Sequence, residues 1–148
     1  MGTTKVLYGT ESGNAELVAD EVAETLNAAG VKAEVVAMDI YDVTELSEAG
    51  FVVVITSTYG EGEMPETTAP FQETLLEARP DLSGLRFAAF GLGDSTYDTY
   101  NNAIAVLSSD LVALGAQRIG ATGRHDAASG ESLTDVAVAW AAGILDLL

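Results

Sequence analysis

Residues 51–55, Phe-Val-Val-Val-Ile, form a run with no polar face. Such a strand is stable only when covered on both sides, as inner strands of a parallel sheet are when helices flank them. Residues 87–90, Phe-Ala-Ala-Phe, repeat the pattern, and Val6-Leu7-Tyr8, entered through Lys5, gives a shorter first strand. The intervening segments have helical period. Val18, Val22 and Leu26 recur at i, i+4 and i+8 in a helix expected over 14–29, with Gly30 as its stop. A helix beginning near Pro70 carries Phe71, Leu75 and Leu76 inward. Ile104, Leu107, Leu111 and Leu114 make one stripe closed by Gly115, and Leu133, Val136, Trp140, Ile144 and Leu147 mark a final helix. Residues 31–37 alternate as an edge strand does, 117–121 give a last short strand, and 44–49 read as a short helix.

Five strands alternating with helices, without repeats, low complexity or a linker, imply one α/β domain over 1–148. The expected architecture is a doubly wound, five-stranded parallel sheet in the order 2-1-3-4-5, with helices on both faces. Its switch point lies between the first and third strands, where ligands meet the carboxyl ends of the strands. The three loops richest in Gly, Ser, Thr and Tyr follow strands one, three and four, so they converge on that edge.

Charge narrows the partners. Six basic and twenty-three acidic side chains give a formal net charge of −17, which repels nucleic acid and anionic membrane surfaces. It attracts a partner with a basic patch, although adaptation to salt accounts for it equally well. The chain has no cysteine, which excludes disulfides, thiol catalysis and thiolate metal sites. One histidine and scattered carboxylates speak against a metal hydrolase, and neither a metal site nor a catalytic acid or nucleophile is expected. No apolar run has the length of a membrane span, and no basic region precedes a hydrophobic stretch at the N-terminus. A cytoplasmic monomer is the expectation.

The first loop, Gly9-Thr10-Glu11-Ser12-Gly13-Asn14-Ala15, runs into a helix without any Lys or Arg. Hydroxyls of Thr10 and Ser12 beside free amides at the helix start make a neutral nest for one terminal phosphate, or an ordinary capped turn. The P-loop Lys and Ser/Thr pair and the G-x-G-x-x-G fingerprint are both missing, which removes the usual triphosphate and dinucleotide sites. The second loop, Ser57-Thr58-Tyr59-Gly60-Glu61-Gly62-Glu63-Met64-Pro65, sets two glycines beside an aromatic ring. Glycine lets backbone approach a planar ligand and change peptide orientation cheaply. The third runs from Gly91 through Leu92, Gly93, Asp94, Tyr97 and Tyr100 to Asn101. Tyr59 and Tyr97 are placed to sandwich an aromatic ring system, whereas Tyr100 reads as packing against the following helix. Tyr8, Tyr41 and His125 read as core or surface residues.

Together these residues resemble the flavodoxin family. Thr10-Glu11-Ser12-Gly13-Asn14-Ala15 is similar to its phosphate loop, T-x-[ST]-G-[NT]-[AT]. Residues 57–65 resemble the isoalloxazine loop of the FMN domains in diflavin reductases, and residues 91–101 the third FMN loop of those domains and of MioC-type short flavodoxins. The resemblance covers the whole chain, which lacks room for the insertion that splits the fifth strand in long-chain members. It implies FMN as cofactor, its phosphate held by residues 10–15 with Thr58 nearby. Tyr59 and Tyr97 would cover the two flavin faces, backbone of Gly60, Gly93 and Asp94 would meet the flavin edge, and Asp126 falls near the flavin. Ser57, Leu92, Tyr100 and Asn101 complete the expected cofactor-binding set.

The function so implied is single-electron transfer between an NAD(P)H-dependent flavin reductase and an acceptor protein with a basic docking surface. The rivals are an FMN-dependent NAD(P)H:quinone reductase and the FMN module of a diflavin reductase. No second dinucleotide site is evident for the first, and the second differs in partner rather than chemistry. A receiver domain fails because Thr10 and residues 57–59 stand where its acidic cluster and phospho-accepting Asp belong.

Overall fold

The protein is described from a computed structural model over residues 3–9, 13–57, 68–93, 102–126 and 129–148. Its strands are β1 (Thr4–Gly9), β2 (Ala33–Ala37), β3 (Phe51–Ser57), β4 (Arg86–Gly93), β5 (Gln117–Arg118) and β6 (Gly123–Asp126). All pair in parallel, in the order β2-β1-β3-β4-β5, with β6 also on β4. The five positions anticipated from sequence are therefore present, with the fifth filled by two short strands rather than one over 117–121. Gly120, at φ +71°, takes the chain out of the ladder, and Gly123 brings it back. A Cβ at Gly123 would lie 2.5 Å from both Phe90 Cδ2 and Trp140 Cδ1. Only glycine leaves room for the Trp140 ring to meet Phe90 edge-on at 5.2 Å.

The helices are α1 (Asn14–Ala28), α2 (Leu46–Ala49), α3 (Thr68–Ala78), α4 (Asn102–Ala113) and α5 (Leu133–Leu145). A 3-10 turn over Val43–Glu45 precedes α2. α1 and α5 cover one sheet face, burying Val18, Val22, Leu26, Ala137, Ala141 and Ile144 against Val6, Val53, Ile55 and Phe90. α3 and α4 cover the other, where Phe71, Leu75, Ile104, Leu107 and Leu111 meet Leu7, Val52, Val54 and Phe87. Each fully buried Leu or Phe contributes about 1.5–3 kcal/mol of transfer free energy, so the two faces together drive collapse.

Both glycine stops act as expected. The amides of Gly30 and Val31 close back on the carbonyls of Asn27 and Leu26, at 3.0 Å each, with Gly30 left-handed at φ +88°. Gly115 and Ala116 repeat the arrangement on Val112 and Leu111. Two apolar assignments fail. Leu76 is 46% exposed because it stands about 100° round α3 from Leu75, and Leu147 is 54% exposed beyond the end of α5. No described helix is long and apolar enough to cross a membrane.

At the carboxyl end of β1 the phenol of Tyr8 donates to Glu16 Oε2 at 2.9 Å, tying the first turn of α1 to the sheet. Burial, then the Glu16 hydrogen bond and charge, and then Asp39 and Asp20, raise the Tyr8 pKa from 10.0 to about 12. One residue on, Gly9 meets α3. A Cβ there would overlap Thr68 Oγ1 and reach 2.8 Å from Thr68 Cβ. Thr68 Oγ1 in turn shares a buried 2.7 Å hydrogen bond with Thr56 Oγ1 on β3.

Gly9→Ala should cost about 1–3 kcal/mol in urea unfolding, the usual range for overpacking. Thr68→Ala should recover part of that loss in the double variant. Wild-type stability for Gly9→Ala would contradict the close approach. The Tyr8 phenol is protonated in both states below pH 10, and above it the unfolded chain ionises first. Its stabilisation is thus complete below pH 10 and lost as pH rises to about 12. Urea midpoints across that window should fall less steeply for Tyr8→Phe than for wild type, and parallel slopes would refute the Tyr8–Glu16 tie.

Candidate functional site

Register aligns the strand ends from which the three loops leave. Gly9 stands opposite Thr56, Thr56 opposite Gly91, Ser57 opposite Leu92, and Gly93 opposite Asp126. The loops after β1, β3 and β4 therefore leave from neighbouring points on one edge of the sheet, at the switch point between β1 and β3.

Gly13 opens α1 from the left-handed region, at φ +91° and ψ −8°, a conformation cheap only for glycine. Its carbonyl accepts from the Leu17 amide at 3.2 Å. Glycine at the cap brings no capping side chain of its own, and the amides of the first turn have no acceptor within the helix. Residues 9–16 contain neither Lys nor Arg, so this helix end offers oriented N–H groups without a formal positive charge. A phosphate monoester fits that donor set. Asn14 is exposed beside it, whereas the Ala15 side chain is fully buried, so Ala15 can offer a ligand only its backbone.

On β3, Ser57 is half-buried and its carbonyl accepts from Thr56 Oγ1 at 3.0 Å. The Thr56–Thr68 hydroxyl pair lies beneath, in contact with the Gly9 backbone, and fixes how closely β1, β3 and α3 meet under the loops. Sequence reasoning missed this trio. The available signal was a threonine ending an otherwise apolar run opposite a glycine that ends another. Leu92 is 6% exposed and packs in the core, so any contact it makes with a ligand comes from its backbone, while Gly93 is half-buried at the rim.

Asp126 sits opposite Gly93 at the end of β6, half-buried, its carbonyl accepting from Ser129 Oγ at 2.7 Å. His125 is half-buried and pairs through Nε2 with the Glu131 carbonyl at 2.9 Å. Tyr41 packs at 6.5 Å from Phe71 in the α3–α4 core, as expected. Thr10, Glu11, Ser12, Thr58, Tyr59, Gly60, Asp94, Tyr97, Tyr100 and Asn101 lie outside the described residues. Among the described residues no group of three His, Asp or Glu side chains could hold a metal ion. The arrangement offers no nucleophile–base pair among those residues. It offers a helix terminus for a phosphate and three adjacent backbone edges for a flat group beside it.

Known proteins share this sequence pattern and fold. The flavodoxin family profile matches residues 6–140. MioC of Escherichia coli O157:H7 is 36% identical over 148 residues, covering all of this chain and 99% of that protein. The NADPH-dependent diflavin oxidoreductase 1 of Cryptococcus neoformans is 32% identical over 96% of this chain, which spans 24% of that longer protein. In structure, oxidised flavodoxin 2 of Bacillus cereus superposes with a TM-score of 0.87 at 25% identity, over 99% of this chain and 100% of that one. The flavodoxin of Streptococcus pneumoniae gives 0.85 at 27% identity, over 99% of this chain and 100% of that one. The chain belongs to the flavodoxin family.

Proposed function

We propose that this chain binds FMN at the carboxyl ends of β1, β3 and β4 and carries single electrons from an NAD(P)H-dependent flavin reductase to an acceptor protein. The observation that carries the reading is the N-terminus of α1, free of Lys and Arg and opened by left-handed Gly13 beside three strand ends in register. A lone terminal phosphate suits that nest, and the loops contain no motif for an adenosine half, which favours FMN over FAD.

Residues 10–15 hold the phosphate in this reading, with Thr58 close by. Tyr59 and Tyr97 cover the ring faces, and backbone at Gly60, Gly93 and Asp94 meets the ring edge. Ser57, Leu92, Tyr100, Asn101 and Asp126 complete the surroundings. Bound FMN supplies one-electron redox chemistry, and the protein tunes its potentials by hydrogen bonds and charge. Glu61 and Glu63 place negative charge beside the ring and oppose further reduction. The net charge of −17 steers partners with basic surfaces toward the chain. In this reading the chain works as a monomer in the cytoplasm. A diflavin reductase module would run the same chemistry with its donor in the same polypeptide.

Acid extraction and chromatography of the purified protein should yield one FMN per chain. NAD(P)H alone should leave that flavin oxidised, and reduction should follow addition of a flavin reductase. Recovery of FAD would overturn the cofactor assignment, and direct NAD(P)H turnover with a quinone would overturn the carrier reading.

A further inference from the structure

Only six Lys and Arg side chains offset the acids of this chain, yet two of them face one groove. It runs between α4 and the β5–β6 edge, with a volume of about 310 Å³. Arg118 stands opposite Phe87 and Arg124 opposite Gly91. Phe87 and Gly91 are four apart on β4, so both arginines project to the same face, the one that α4 covers. Two extra residues between β5 and β6 preserve this parity while opening the edge.

The polar part of the lining is made of donors. Arg118 and Arg124 are joined by the hydroxyls of Thr122, Ser108 and Ser109, and among the described residues no carboxylate contributes to the wall. Asp110, the sole acid of α4, instead accepts from Gln72 on α3 at 2.9 Å. Among the described residues the ion pair is Lys5–Glu34, at 2.9 Å, so neither arginine is neutralised by a carboxylate there. Arg118 makes one long bond, to Thr122 Oγ1 at 3.4 Å. Ser108 is 7% exposed and its Oγ has no hydrogen-bond partner, not even the carbonyl one turn back that helical serines often use. A buried hydroxyl left so costs free energy, which an incoming acceptor would recover.

We infer that this groove binds a small phosphorylated organic molecule. A guanidinium fork matches phosphate oxygens in geometry and charge, and two arginines line this groove. The hydroxyls supply further donors, and the half-exposed Val112 offers an apolar wall for the rest of the ligand. The volume is at the lower bound for small-molecule sites, about 300 Å³, which suits a ligand no larger than a phosphorylated ring. The site is separate from the α1 terminus, which lies on the other face of the sheet.

The test is residue-resolved NMR of the flavin-loaded protein, titrated at constant ionic strength with phenyl phosphate, inorganic phosphate, benzoate or chloride. Phenyl phosphate should give saturable amide shifts at residues 108–112 and 118–124, binding more tightly than inorganic phosphate or benzoate. Arg124→Gln should weaken it roughly tenfold or more, as loss of a charge-assisted fork does. Arg79→Gln, remote from the groove, should leave it unchanged. Ser108→Ala should weaken binding while the folded protein loses no stability. Shifts that fail to saturate, that chloride reproduces, or that survive Arg124→Gln would overturn the site. Tighter binding of benzoate would overturn its assignment to phosphate.

Discussion

β3 and β4 bury side chains on both faces, and a strand of that kind must be covered on both sides. That requirement sends the chain out through helical segments after β1, β2, β3 and β4 and back to the sheet in parallel, with helices distributed over both faces. The faces are then filled, with α1 and α5 on one and α3 and α4 on the other. The strand ends are what remain for chemistry. Because every strand pairs in parallel, the carboxyl ends share one edge, and the loops leaving them meet there.

Glycines set how closely the layers approach at that edge. Gly9 lets α3 seat Thr68 against β1, where the hydroxyl pair with Thr56 satisfies two buried polar groups at once. Gly123 lets Trp140 press on Phe90 and thereby seats α5. The same replacement of Cβ by hydrogen explains why the fifth sheet position is split. The chain leaves the ladder at left-handed Gly120 and re-enters at Gly123, and the interruption brings Arg118 and Arg124 onto the α4 side.

The large features were legible in the sequence because burial on two faces, or on one stripe, leaves a compositional trace. Residues 51–55 and 87–90 marked the inner strands, and Gly30 and Gly115 marked helix stops that the structure closes with paired amide bonds. Leu76 and Leu147 were misjudged because periodicity does not say where a stripe ends. The split of the last strand escaped because it depends on Trp140, a residue twenty-two positions beyond Arg118 in the chain. The Thr56–Thr68 pair escaped for the same reason: its partners belong to different elements, and only the sheet register brings them together. Of the expected site, Gly13, Asn14, Ser57, Gly93 and Asp126 lie at the shared edge, while Ala15 and Leu92 turn their side chains into the core.

The central claim is that one flavin lies across the carboxyl edge with its phosphate end on α1. Adding FMN to the flavin-free protein and following backbone amide shifts residue by residue tests it most directly. The expected result is a stoichiometric set of changes concentrated at residues 10–16, 57–60 and 92–97, with the amino-terminal edge of the sheet near residues 30–33, 80–86 and 115–117 unmoved. Changes concentrated at that opposite edge, or confined to the groove beside α4, would contradict it.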